Sequence, residues 1–210
     1  MVIGTRPVLR VAPLAQETVS SFLGRIAASY AIDAGELRSC WQWSNQAPRI
    51  PGVAGPRPDA EILLNHAGRR VLAELCRTSP QNLAKALPAW NRAPEVFGTD
   101  DEAPQPLGQW RAGSTVHAPV AYACSSCTAR RTGRPATAML YRHGWQRVCG
   151  RHLQWALDAG DGHGLQHLDL RHCPDVITAQ YRWATVARRA RRVGLEPGAV
   201  FTLARAVVCQ

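Results

Sequence analysis

The sequence predicts a mainly α fold in three parts: a helix-turn-helix-like helical N-terminal part, one small cysteine-bearing ribbon, and C-terminal helices. Three observations carry this. Apolar residues recur at helical three-and-four spacing in four segments. A D-x-x-E box, Asp33 and Glu36, sits where a second helix would open. Two knuckles, Cys124-x2-Cys127 and Cys149-x2-His152, lie 21 residues apart.

Residues 17–41 read as two helices. Thr18 is the N-cap of the first, and Val19, Phe22, Leu23, Ile26, Ala27 and Tyr30 make its inner face. After a short break the Asp33–Glu36 box caps the second, with Leu37 and Trp41 facing inward. The outline fits a helix-turn-helix and equally any αα-hairpin. Residues 46–58 are a Pro/Gly-rich loop. A second helical pair follows. Ile62, Leu63, His66, Ala67, Val71, Leu72 and Leu75 form its first stripe, with His66 read as a core histidine. Ser79 caps its second helix, Pro80 takes the first position, and Leu83 and Leu87 face inward. Cys40 and Cys76 fall in these patterns as core thiols.

Residues 92–119 are rich in Pro and Gly and read as a linker, with a solvated acidic run Asp100, Asp101, Glu102. The predicted division is therefore 1–91 helical, 92–119 linker, 120–157 ribbon and 158–210 C-terminal helical segment. In the last segment, Pro174 and Asp175 open a helix that Gly194 ends, and a further amphipathic stretch runs from Pro197 to Val208. The strand signal is confined to the ribbon.

The 210 residues suffice for one large domain or two to three small ones. No run of 18 apolar residues and no signal-peptide pattern occur, so a cytoplasmic protein with no membrane partner is the expectation. Seven cysteines in such a chain read as metal ligands before disulfides. The knuckles supply four N/S ligands, Cys124, Cys127, Cys149 and His152, which is the set Zn²⁺ takes in closed, structural sites. His143, six residues before Cys149, and the pair His172-Cys173 are weaker substitutes for His152.

The formal charge of +10 favours a polyanion as partner, duplex DNA first, although a basic chain can be basic for solubility alone. Lys85 is the only lysine; the arginine bias suits phosphate and guanine, and also follows from a GC-rich genome. Between the knuckles stand Arg130, Arg131, Arg134, Arg142 and Arg147, then Arg151, with no acidic residue from 128 to 151. Tyr141 and Trp145 are interleaved, and Trp145 is the expected plug of the ribbon. A second cluster, Arg188, Arg189, Arg191 and Arg192, ends the 174–192 helix, where cations are favourable with or without a ligand. Both clusters are candidate DNA-binding residues.

The order of these parts resembles the TniQ family, accessory proteins of multi-component bacterial transposons. The resemblance rests on "ETVSSFLGRIAASYAIDAGEL", on the knuckles "CSSC" and "VCGRH" with "YRHGW" between them, and on "CPDVITAQYRW". It implies that the four knuckle residues match the family's zinc ligands. It also implies DNA-binding helix-turn-helix units, a role in choosing the insertion target, and a transposase, an ATPase or an RNA-guided complex as partner. Two features depart from the family: Ser125 stands where its usual proline follows the first ribbon cysteine, and longer members carry further domains.

No P-loop, carboxylate set on a metal-binding sheet, or glutamate beside the knuckles is present, so no enzyme active site is expected. The leading expectation is a non-enzymatic zinc-containing DNA-binding adaptor in transposition target selection. A helix-turn-helix/zinc transcription regulator and a protein-only scaffold are the alternatives.

Overall fold

The computed structural model describes residues 11–41, 44–45, 60–92, 97, 108–113, 119–160 and 164–209. Helix is the predominant regular structure among them, and three small sheets accompany it. The Pro/Gly-rich 46–58 loop and the acidic run at 100–102 lie outside the described residues.

The N-terminal half is built around α1 (Val19–Ser29) and α2 (Ala34–Cys40). The Thr18 hydroxyl accepts from the Ser21 amide at 3.0 Å, satisfying one of the free donors of the first turn. At α2 the capping box forms in both directions: Asp33 Oδ1 accepts from Gly35 and Glu36 amides, and the Asp33 amide donates to Glu36 Oε2 at 2.9 Å. α3 (His66–Cys76) and α4 (Pro80–Ala86) make the second pair. Arg77, in the left-handed region, and Thr78 turn the chain, and Ser79 caps α4 with Pro80 at its first position. Phe22, Leu23, Ile26, Leu72, Leu83 and Leu87 are fully buried in one core with Trp90 and Trp110. Each such side chain contributes about 1.5–3 kcal/mol over exposure.

The expectation of strands only in the ribbon is corrected here. Glu61–Leu64 is a strand, β2, and not the first turn of the helix, which starts at His66. It pairs antiparallel with β3 (Gln109–Gly113), and β3 pairs parallel with β1 (Ser44–Asn45). β3 lies in the predicted 92–119 linker. The reason is packing: all four β2 residues are buried, so both faces of this strand need cover, and Trp110 on β3 supplies part of it. His66 and Cys40 are exposed, correcting their reading as core residues, while Cys76 packs partly buried against the core.

The cysteine-bearing segment comprises β4 (Val120–Tyr122), α5 (Ser125–Thr132), β5 (Met139–Tyr141), β6 (Val148–Cys149), β7 (Gln154–Ala156) and β8 (His167–Asp169). β4 pairs with β5, and β6-β7-β8 form an antiparallel meander. Residues 16–18 join the β5 edge: the Tyr141 amide donates to Gln16 O at 2.8 Å and the Thr18 amide to Met139 O at 3.1 Å. Two buried carboxylates lock this junction. Glu17 takes a bidentate pair from Arg25 at 2.7 and 2.6 Å. Glu61 accepts from the Val19 and Ile62 amides, each at 2.8 Å, and from the Tyr141 hydroxyl at 2.6 Å.

Two helices follow, α6 (Pro174–Arg192) and α7 (Pro197–Val208), at the predicted positions. Trp145 is buried, but not as an internal plug. Its ring meets Trp183 of α6 at 6.5 Å and Phe201 of α7 at 5.8 Å, so it docks the C-terminal helices.

Candidate metal centre and basic surface

The first knuckle is formed where β4 runs into α5. Cys124 caps that helix without a side-chain hydrogen bond, which leaves its sulfur free for other use, and Cys127 follows in the first turn. The second knuckle is the turn between β6 and β7. Cys149 ends one strand, His152 sits in the turn, and Leu153 takes a left-handed φ of 50° to close it. The four side chains converge: all ligand atoms lie within 4.8 Å of one another. His152 Nδ1 is 3.2, 3.4 and 3.6 Å from the sulfurs of Cys124, Cys127 and Cys149, and Cys127 Sγ is 3.6 Å from Cys149 Sγ. The cluster can hold a metal ion. Cys124 is buried and the other three are half-buried.

Thiol acidity differs around the cluster. Burial pushes Cys127 up, aided by the neighbouring sulfurs, to about 12. At Cys149 burial also works upward, but hydrogen bonds from the His152 backbone and ring and the Arg151 amide outweigh it and bring the thiol down to about 7. The tight second turn thus aims peptide dipoles at one sulfur and favours its thiolate. Gln154 lies beside the cluster, its carboxamide oxygen 3.5 Å from Cys124 Sγ. Sequence spacing offered no signal for it.

His143 is not part of the cluster. It stacks on Trp145 at 4.3 Å, and burial followed by the nearby Arg191 charge lowers its basicity. His172 and Cys173 stand exposed at the start of α6, also outside the cluster.

The predicted arginines divide into three groups. Arg130, Arg131 and Arg134 are exposed on and just after α5, as is Arg151 in the second knuckle. Arg142 is half-buried near the cysteines and donates to Gln146 O at 2.9 Å. Arg147 is not on the surface: it is 6% exposed, ion-paired with Asp158 and directed at Ala156 O. Its assignment to DNA binding is corrected, because a guanidinium held by a carboxylate inside the fold cannot reach a phosphate.

Arg188, Arg189, Arg191 and Arg192 are all exposed, but they do not form one stripe. At about 100° per residue, Arg188 and Arg192 share a face of α6 while Arg189 and Arg191 diverge to either side. Arg191 lies 5.7 Å over the Trp145 ring. Of the second helices of the two N-terminal pairs, α2 carries Arg38 against Trp110 at 4.4 Å, and α4 exposes Gln81, Asn82 and Lys85. Among the described residues no helix is long and apolar enough to cross a membrane.

Comparison with known protein families, curated proteins and solved structures finds no match for the chain.

Proposed function

We propose that the chain is a non-enzymatic, zinc-containing DNA-binding adaptor of the TniQ type, acting in target selection during transposition. The observation that carries the metal part is the convergence of three sulfurs and one imidazole nitrogen within 4.8 Å. Tetrahedral Zn–S and Zn–N bonds of ~2.0–2.3 Å would separate ligand atoms by ~3.5–3.8 Å, close to the observed edges. A Cys₃His set favours zinc over harder cations. Four protein ligands leave no open position, so zinc here holds the β4–α5 and β6–β7 knuckles together and supplies folding energy rather than chemistry.

The DNA part is supported by the net charge of +10 and by two groups of exposed arginines, Arg130, Arg131, Arg134 and Arg151 near the knuckles and Arg188 with Arg192 on α6. Exposed guanidinium groups neutralise phosphates without reading sequence. Any sequence preference comes from α2 or α4, the second helices of the two hairpins. The transposase, ATPase or RNA-guided complex that would partner such an adaptor enters through the resemblance in "CSSC", "VCGRH" and "CPDVITAQYRW". The test is binding of the metal-loaded chain to duplex DNA at low salt, before and after chelation. Binding that needs the metal supports the reading. Absence of duplex binding at low salt contradicts it and favours a scaffold that contacts protein alone.

A further inference from the structure

A cavity of about 450 Å³ lies between α5, the second knuckle and the N-terminal segment. Arg130, Arg131, Arg142 and Arg151 line it, and among the described residues no carboxylate does. It is not the metal centre. Cys124 and Cys127 edge it, whereas Cys149 and His152 do not, so it opens beside the cluster rather than within it. Its volume falls in the ~300–1,000 Å³ range of small-molecule pockets, far above what one metal ion needs.

Thr128 forms part of the floor at 1% exposure, with its hydroxyl closed off from solvent. Leu14 and Leu140 add an apolar wall. The cavity therefore offers four arginine side chains and an apolar side.

We infer that this cavity binds a nucleoside phosphate through its terminal phosphate group. Four arginines exceed what one singly charged phosphodiester requires and match a dianionic terminal phosphate held by paired N–H donors. The apolar wall takes the base or sugar. The same chemistry is offered by a free nucleotide and by the 5′-phosphorylated end of a strand. The inference goes beyond the duplex reading, since it concerns a half-open recess that takes a terminal phosphate rather than the phosphodiesters of a duplex.

The experiment is calorimetric titration of the full metal-loaded chain with adenosine and cytidine 5′-monophosphate, adenosine, and inorganic phosphate. The monophosphates should bind at least about tenfold more tightly than adenosine, as loss of charge-assisted hydrogen bonds implies. R131Q/R151Q should weaken monophosphate binding by about tenfold or more, with metal content and melting unchanged. R188Q/R192Q, at positions that do not line the cavity, should leave it unchanged even where duplex binding falls, which separates this inference from the duplex reading. Competition by a 5′-phosphorylated but not a 5′-hydroxyl oligonucleotide identifies a strand end as the source; competition by neither identifies the free nucleotide. No monophosphate binding, equal binding of adenosine, or full retention in R131Q/R151Q overturns the inference.

Discussion

The Tyr141 hydroxyl donates to Glu61 Oε2 at 2.6 Å, joining positions 80 residues apart and tying β5 of the cysteine-bearing segment to β2 of the helical half. The same carboxylate accepts the Val19 amide at the start of α1. One buried side chain therefore holds three elements. Tyr141→Phe removes one donor while leaving the carboxylate buried. It should destabilise the chain by about 1–3 kcal/mol. Urea unfolding followed by tryptophan fluorescence and by far-UV circular dichroism checks it. The two signals should shift together, because the junction is shared.

Glu61 also sets a pH dependence. Burial raises its carboxyl above the ordinary value of 4.5, although the Tyr141 hydroxyl and three amides act in the opposite direction. The folded state then holds the proton more firmly than the unfolded chain does. The corresponding stability is complete below the ordinary glutamate range and is lost as pH rises through the folded value. Glu61→Gln cannot titrate, so the difference in stability between it and wild type should change over that window and level off above it. A pH series of urea midpoints reads this directly.

The local features were the legible ones. The Thr18, Asp33 and Ser79 caps act within three residues, and each forms as its sequence predicts. The knuckles are likewise local, and the fold brings their two halves together. What escaped depends on distant partners. The apolar run Ile62-Leu63-Leu64 fits a helix or a buried strand equally, and only pairing with β3 decides it. β3 itself hides in Pro/Gly-rich sequence. Arg147 looks like its exposed neighbours until Asp158, eleven residues on, takes its charge. Trp145 reads as a local plug because Phe201, its partner on α7, is far along the chain.

Metal should be present at about one ion per chain and should stabilise more than the knuckles. Cys149→Ser or strong chelation should remove it and lower the melting temperature of the whole chain, since residues 16–21 are hydrogen-bonded to β5. Elemental analysis with calorimetry checks this. A metal-free protein melting at the wild-type temperature would refute the structural role.

Trp145→Ala should free the C-terminal helices. Loss of contacts with Trp183 and Phe201 should cost about 3–5 kcal/mol locally. Hydrogen exchange should show α7 amides losing protection first, with α1 and α3 unaffected.

Exposed guanidinium groups are proposed to meet duplex phosphates, and the salt dependence of duplex affinity tests this most directly. Each neutralised phosphate contributes about −0.9 to the slope of log K against log salt. Arg188 and Arg192 are exposed on one face of α6, so R188Q/R192Q should flatten the slope by about 2 without changing sequence preference. Arg147→Gln, by contrast, should reduce stability, because the buried Arg147 side chain loses its ion pair with the half-exposed Asp158, and should leave the slope alone. A steep wild-type slope that flattens in R188Q/R192Q is the predicted result; a wild-type chain with no duplex affinity at low salt, or a variant with an unchanged slope, would contradict the account.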